Sequence, residues 1–222
     1  MNSNLRVILV VSSLVLASLA CQAVIGGGSG GDVATSKVIF SDDFSSSQWG
    51  TGTDADSSIE YANETLQMVV FTANFFVWST LDDQSYRNVH MEATVINNGT
   101  DPTTAFGIMC DKQSSNDDLY YFAMTPVGQY AIARAVTGQN DLFLTNNDLW
   151  ATSDSIKKNA SSYRIGVDCG NGVLTLYVDG QRIASVSDST YESGGVGLFT
   201  WSGEEGTVTN VSFDDFLMTE LP

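Results

Sequence analysis

A chain of 222 residues that is 43% hydrophobic and 10% aromatic carries enough apolar side chain to fill a core, which excludes a disordered polymer. Its 26 acidic residues against 9 basic ones give a net charge of −17. That balance excludes nucleic acid as a partner, because a surface of this sign repels phosphates. Only 16% of the residues are charged, so solubility rests on Ser, Thr, Asn and Gly, as in extracellular β proteins.

The first element is an export signal. Arg6 supplies a positive start, Val7 to Leu16 is apolar apart from Ser12 and Ser13, and the small residues Ser18 and Ala20 precede Cys21. This three-part pattern predicts removal of residues 1–20. The apolar stretch is shorter than the roughly 20 residues a permanent membrane helix needs, and no later segment approaches that length. Ala17-Ser18-Leu19-Ala20-Cys21 resembles a bacterial lipobox, in which the cysteine is lipidated and becomes the new N-terminus. Ser18 stands where that motif usually has Leu, and Ser18 with Ala20 also suits an ordinary small-x-small cleavage site. Lipid anchoring at Cys21, as the sole membrane contact, and plain secretion both follow. Residues 21–36, with Gly26-Gly27-Gly28-Ser29-Gly30-Gly31 at their centre, read as a flexible tether reaching about 20 Å.

From Lys37 to residue 222 the chain alternates apolar and polar residues in short runs, with no sustained 3.6-residue period. One all-β domain is expected. The runs are Lys37 to Ser41, Thr65 to Thr72, Phe75 to Thr80, Asn88 to Ile96, Ala105 to Asp111 and Leu119 to Thr125. Gln129 to Val136, Tyr163 to Cys169, Val173 to Val178, Arg182 to Val186, Val196 to Trp201 and Thr207 to Met218 follow. Asn98-Gly99, Val127-Gly128, Gly170-Asn171-Gly172, Asp179-Gly180 and Gly194-Gly195 supply turn residues that accept positive φ. Leu176 to Ile183, turning at Asp179-Gly180, is the clearest hairpin. So many strands exceed one sheet with a single core face, so two packed antiparallel sheets are expected.

Alternation puts Cys110 with Phe106 and Ile108, and Cys169 with Tyr163, Ile165 and Val167. Both thiols then point inward. With Cys21 set aside for an anchor, Cys110 and Cys169 either pair after export or remain two buried thiols.

Several stretches resemble the concanavalin A-like lectin and glucanase superfamily, and within it the laminin G-like and 3-keto-disaccharide hydrolase-like domains of bacterial lipoproteins. The likeness runs from Val38 to Met218. It rests on Phe40-Ser41-Asp42-Asp43-Phe44 with Trp49 after it, Phe106-Gly107-Ile108-Met109-Cys110, Leu119-Tyr120-Tyr121-Phe122, Gly128-Gln129-Tyr130 and Leu176-Tyr177-Val178-Asp179-Gly180. Gly194-Gly195-Val196-Gly197-Leu198 and Phe213-Asp214-Asp215-Phe216 complete it. The resemblance implies a jelly-roll sandwich whose first and last strands lie together. It transfers no activity, because this fold hosts lectins, hydrolases and inert modules.

A glycosidase needs two carboxyls at a controlled separation. The Glu-x-Asp-x-x-Glu strand of the superfamily's glucan-cleaving members does not occur here. The doublets Asp42-Asp43, Asp82-Asp83, Asp117-Asp118, Glu204-Glu205 and Asp214-Asp215 send neighbouring side chains to opposite faces wherever they lie in strands. They read as loop and edge solvation. His90, the only histidine, has no spacing that supports a triad or a zinc site. If the first and last strands meet, Asp43 and Asp215 approach each other and offer hard oxygen ligands for a structural Ca²⁺, or cap turns.

Sugar binding needs an aromatic platform flanked by polar groups. Alternation sets Tyr121 opposite to Tyr120 and Phe122, and Tyr130 on one side with Arg134. These, with Trp78 and Trp201, are the candidate ligand-facing residues, and each also suits core or rim. The leading expectation is a non-catalytic, cell-surface, carbohydrate-binding module. A glycan hydrolase of the 3-keto-disaccharide type and a structural or protein-interaction module are the alternatives.

Overall fold

The computed structural model describes residues 36–203 and 208–221. The signal segment, Cys21, the tether as far as residue 35 and the Glu204-Glu205 doublet lie outside the described residues. Among the described residues the alternation resolves into sixteen strands. The first eight are β1 (Val38–Asp42), β2 (Gly52–Thr53), β3 (Ser57–Ala62), β4 (Thr65–Val70), β5 (Phe76–Thr80), β6 (Val89–Asn97), β7 (Ala105–Lys112) and β8 (Leu119–Met124). The second eight are β9 (Gln129–Ala135), β10 (Leu142–Phe143), β11 (Ala151–Thr152), β12 (Ser162–Gly170), β13 (Val173–Val178), β14 (Gln181–Ser187), β15 (Gly195–Trp201) and β16 (Thr209–Glu220). Among the described residues no helix is long and apolar enough to cross a membrane.

All twelve strands expected from the sequence form. The structure adds β3 and the two-residue β2, β10 and β11. The signal for β3 was masked because Ser57 and Ser58 are buried, putting hydroxyls where alternation would put hydrocarbon.

The strands form two antiparallel sheets. One runs β14-β13-β12-β6-β16-β4-β3-β2 with β1 also on β16, and the other runs β10-β9-β8-β7-β15-β5 with β11 also on β9. The fold is a two-sheet, all-β jelly-roll sandwich. Its core lies between the sheets, where Phe106 and Ile108 of β7 and Tyr120, Phe122 and Met124 of β8 join Leu66 and Met68 of β4 and Met91 and Val95 of β6. A disulfide between Cys110 of β7 and Cys169 of β12 ties one sheet to the other through this core.

The first and last strands lie together as the resemblance implies, with Phe40 opposite Met218 and Asp42 opposite Phe216. Asp42 is buried because its carboxylate accepts the Phe44 N–H at 2.9 Å and the Trp49 Nε1–H at 3.0 Å. The Trp49 ring then packs edge-on against Phe216 at 4.9 Å. On β16 the buried positions step from Val211 and Phe213 to Phe216 and Met218. Strict alternation cannot do this, and a bulge between Asp214 and Leu217, with Asp215 at φ 48°, absorbs the odd residue.

The turn chemistry needs one correction. Gly128, Asn171, Gly172, Asp179 and Gly180 have positive φ, but Gly99, Gly194 and Gly195 do not. Gly194 is required by proximity instead, since a Cβ there would stand 2.3 Å from the Asp111 carbonyl carbon. Apart from Phe44 and Glu64, the non-glycine positive-φ residues described are all Asn or Asp, which tolerate the left-handed region best.

Candidate functional site

The outer face of the seven-stranded sheet carries a groove of about 600 Å³. Its floor is low because outward positions hold Ala105 on β7, Ala123 on β8 and Ala135 on β9. Aromatic rings rise on both sides. Phe76 and Trp78 of β5 with Phe199 and Trp201 of β15 form one flank, while Phe143 of β10 and Trp150 form the other. Phe76 stacks on Phe199 at 4.8 Å, and Phe143 meets Trp150 edge-on at 5.6 Å. Tyr121, outward on β8, lies 6.0 Å from Phe76 and 5.5 Å from Phe199. These rings hold one another, so the surface is preformed rather than assembled by a ligand.

Polar groups are few. Tyr121 donates its hydroxyl to Asp141 Oδ2 at 2.8 Å. Burial, with the Asp141 charge adding, pushes the Tyr121 hydroxyl far above its ordinary value, so it stays a donor at every working pH. Asp117, Thr137 and Gln139 complete the polar rim. A sugar ring presents an apolar face and a set of hydroxyls, which matches aromatic walls with a sparse polar edge.

Three of the residues expected to face a ligand, Trp78, Tyr121 and Trp201, therefore line one groove. The other two lie on the opposite side of their sheet. Tyr130 packs against the core, and Arg134, in register with Ile132, pairs with Asp188 at 2.9 Å. Arg134 Nε is buried with no hydrogen-bond partner. Alternation had correctly put Tyr130 and Arg134 together but could not tell which face was outside. Phe76 and Phe199 share the parity of Trp78 and Trp201, so their place in the groove was readable. Phe143 and Trp150 were not, because they lie in a stretch from Val136 to Trp150 with no sustained alternation.

The remaining candidates sit elsewhere. His90 is on the outer face of the nine-stranded sheet, its Nδ1 2.6 Å from Asp168 Oδ1 and its Nε2 3.2 Å from Glu92 Oε1. Asp168 also accepts the Tyr177 hydroxyl at 2.8 Å, and Glu92 holds Arg164. Both ring nitrogens are thus engaged by carboxylates, which raises the histidine's pKa, the Asp168 hydrogen bond contributing most. Asp43 and Asp215 line one polar depression at the meeting of β1 and β16. Arg164 shares it and donates from Nη1 to the Asp215 carbonyl at 2.6 Å. The Asp43 and Asp82 carboxylates also accept backbone N–H groups of their own turns, from Ser45 and Gln84. Among the described residues, the one trio of His, Cys, Asp or Glu with ligand atoms within 4.8 Å of one another is Cys110, Asp111 and Cys169, and its two sulfurs are already bonded together.

The groove and the two-sheet order can be set against known proteins. No family model matches the chain, and no curated protein matches it. Solved structures do. The carbohydrate-binding module CBM66 from Bacillus subtilis superposes with a TM-score of 0.61 at 13% identity, over 78% of this chain and 96% of that one. A Bacillus subtilis protein of unknown function with a galectin-like fold gives 0.60 at 10%, over 83% and 96%. A Bacillus licheniformis β-glucanase gives 0.55 at 10%, over 82% and 98%. The fold is the concanavalin A-like jelly roll, as the sequence resemblance implied. At these identities the likeness concerns the fold alone.

Proposed function

We propose that this chain is a non-catalytic carbohydrate-binding module whose saccharide lies along the aromatic groove, against Trp78, Tyr121 and Trp201. The observation that carries the reading is a preformed aromatic channel of about 600 Å³ on a solvent-facing sheet, where a solvated outer surface would otherwise hold polar residues. Similarity to a carbohydrate-binding module supports the ligand class. Binding is favoured over hydrolysis because the Glu-x-Asp-x-x-Glu strand of the glucan-cleaving members does not occur in this sequence. A cell-surface or extracellular address goes with this reading, and acylation of Cys21 would appear in the mass of the mature N-terminal peptide.

A glycan array probed with the full chain tests it. Saturable binding to a defined saccharide, weakened in folded Trp201→Ala or Tyr121→Ala, is expected, with affinity falling several-fold to about tenfold for one stacking ring. A blank array from a folded sample would turn the reading to a protein-interaction module. Release of sugar by the unmodified chain would turn it to a hydrolase.

Calcium at Asp43 and Asp215 is a separate proposal, supported by their sharing one depression with the hydroxyl and amide oxygens of Ser41, Ser46 and Gln48. Adding Ca²⁺ to a chelator-stripped sample should raise its melting temperature, and Asp215→Asn should abolish the rise. No rise leaves Asp43 as the cap of its own turn and Asp215 held by Arg164 through its carbonyl.

A further inference from the structure

The groove's charge narrows the ligand beyond its class. Its ionisable lining consists of Asp117, Asp141 and Tyr121, and no Lys, Arg or His faces it among the described residues. Lys112, which does not line the groove, pairs with Asp117 at its rim. Tyr121, with its ordinary pKa pushed up, stays neutral and spends its one proton on Asp141. The chain as a whole carries −17. A carboxylated or sulfated sugar entering here would shed part of its anion's hydration against the aromatic walls, meet no guanidinium or ammonium group among the described lining residues, and face the solvent-exposed Asp141 carboxylate at the rim. A sugar bearing only hydroxyls and acetamido groups incurs none of these costs, and its apolar faces fit the two aromatic flanks.

We propose that the groove selects uncharged saccharide chains and rejects those carrying uronic acids, sialic acid or sulfate, with Asp141 as the residue that sets the sign. This rests on the carbohydrate-binding reading above. The fold does not dictate the choice: structures similar to this chain include a κ-carrageenase bound to a carrageenan oligosaccharide as well as a β-glucanase.

Matched probes decide the matter. The full chain is titrated with neutral galactan oligosaccharides and their sulfated counterparts, and with neutral glucan oligosaccharides and their C6-oxidised glucuronan forms, at low and at high salt. The expected result is that at least one neutral member binds and its acidic partner binds at least tenfold more weakly, the gap narrowing as salt screens the repulsion. In Asp141→Asn the neutral-to-acidic ratio should shrink several-fold, whatever happens to absolute affinity. Equal or tighter binding of an acidic member overturns the charge selection and leaves carbohydrate binding standing. Silence towards every probe from a folded sample overturns carbohydrate binding itself and this inference with it.

Discussion

The buried Asp111 and the half-buried His90 each make stability depend on pH. Asp111 lines a small cavity of about 200 Å³, is 6% exposed, and sits at φ 51° beside the disulfide. Burial pushes its carboxyl up to about 6, with Arg87 opposing and Glu192 adding. The folded chain therefore holds this proton more tightly than the unfolded one, whose value is near 3.8. Its contribution to stability is complete below that lower value and is lost as pH rises through about 6. Asn accepts the same left-handed backbone without a charge, so Asp111→Asn should gain about 1 to 3 kcal/mol at neutral pH and lose that slope. His90 acts in the next window. Its pKa is raised by Asp168, then by Glu92, against the opposing effect of burial. Its contribution is complete below the ordinary histidine value of 6.5 and is lost as pH climbs through the folded value above it. Urea titrations across pH check both residues, with His90→Gln flattening the upper window. A wild-type slope in either variant removes the corresponding assignment.

At the scale of the element, positions that alternation marks are often fixed by something alternation cannot see. The hairpin of β13 and β14 was fully readable, because Asp179 and Gly180 take positive φ at 50° and 76° between paired Val178 and Gln181. The bulge in β16 was legible only in hindsight, from Phe213 and Phe216 both needing to face inward. Gly107 is a third case. Nothing in its strand calls for backbone freedom, yet a Cβ there would fall 1.8 Å from the Phe122 carbonyl oxygen and 3.1 Å from the Phe199 ring. Gly107→Ala should therefore pry β7 from β8 and cost more than about 2 kcal/mol, or prevent folding. Gly52→Ala, with no atom within 4 Å of the added carbon, is the control and should be near neutral. Equal melting temperatures for the two variants would show that the strands yield freely.

For the whole molecule the organising fact is a sandwich closed by one covalent staple. Cys110 and Cys169 are 59 residues apart and join the two sheets. In the chain-entropy view a loop of that size is worth about 4 kcal/mol, often less in practice. Replacing both cysteines with Ala should lower the unfolding free energy by about 2 to 4 kcal/mol, measured by denaturant titration, and a loss under about 0.5 kcal/mol would deny the staple that role. The net charge of −17 adds self-repulsion that grows as carboxylates ionise, so it reinforces the decline in stability with rising pH set by Asp111 and His90.

The sequence by itself determined twelve of the sixteen described strands, the two-layer architecture and the inward aim of both cysteines. Those follow from period-2 alternation and turn residues, which are local properties of the chain. It also set Tyr121 opposite to Tyr120 and Phe122 and offered Trp78 and Trp201 as candidates without fixing their face. Only the tertiary structure decided that these three share a groove with Phe143 and Trp150 while Tyr130 and Arg134 do not. Alternation assigns residues to one of two faces without saying which face another sheet will cover, and that choice belongs to the packing of distant strands.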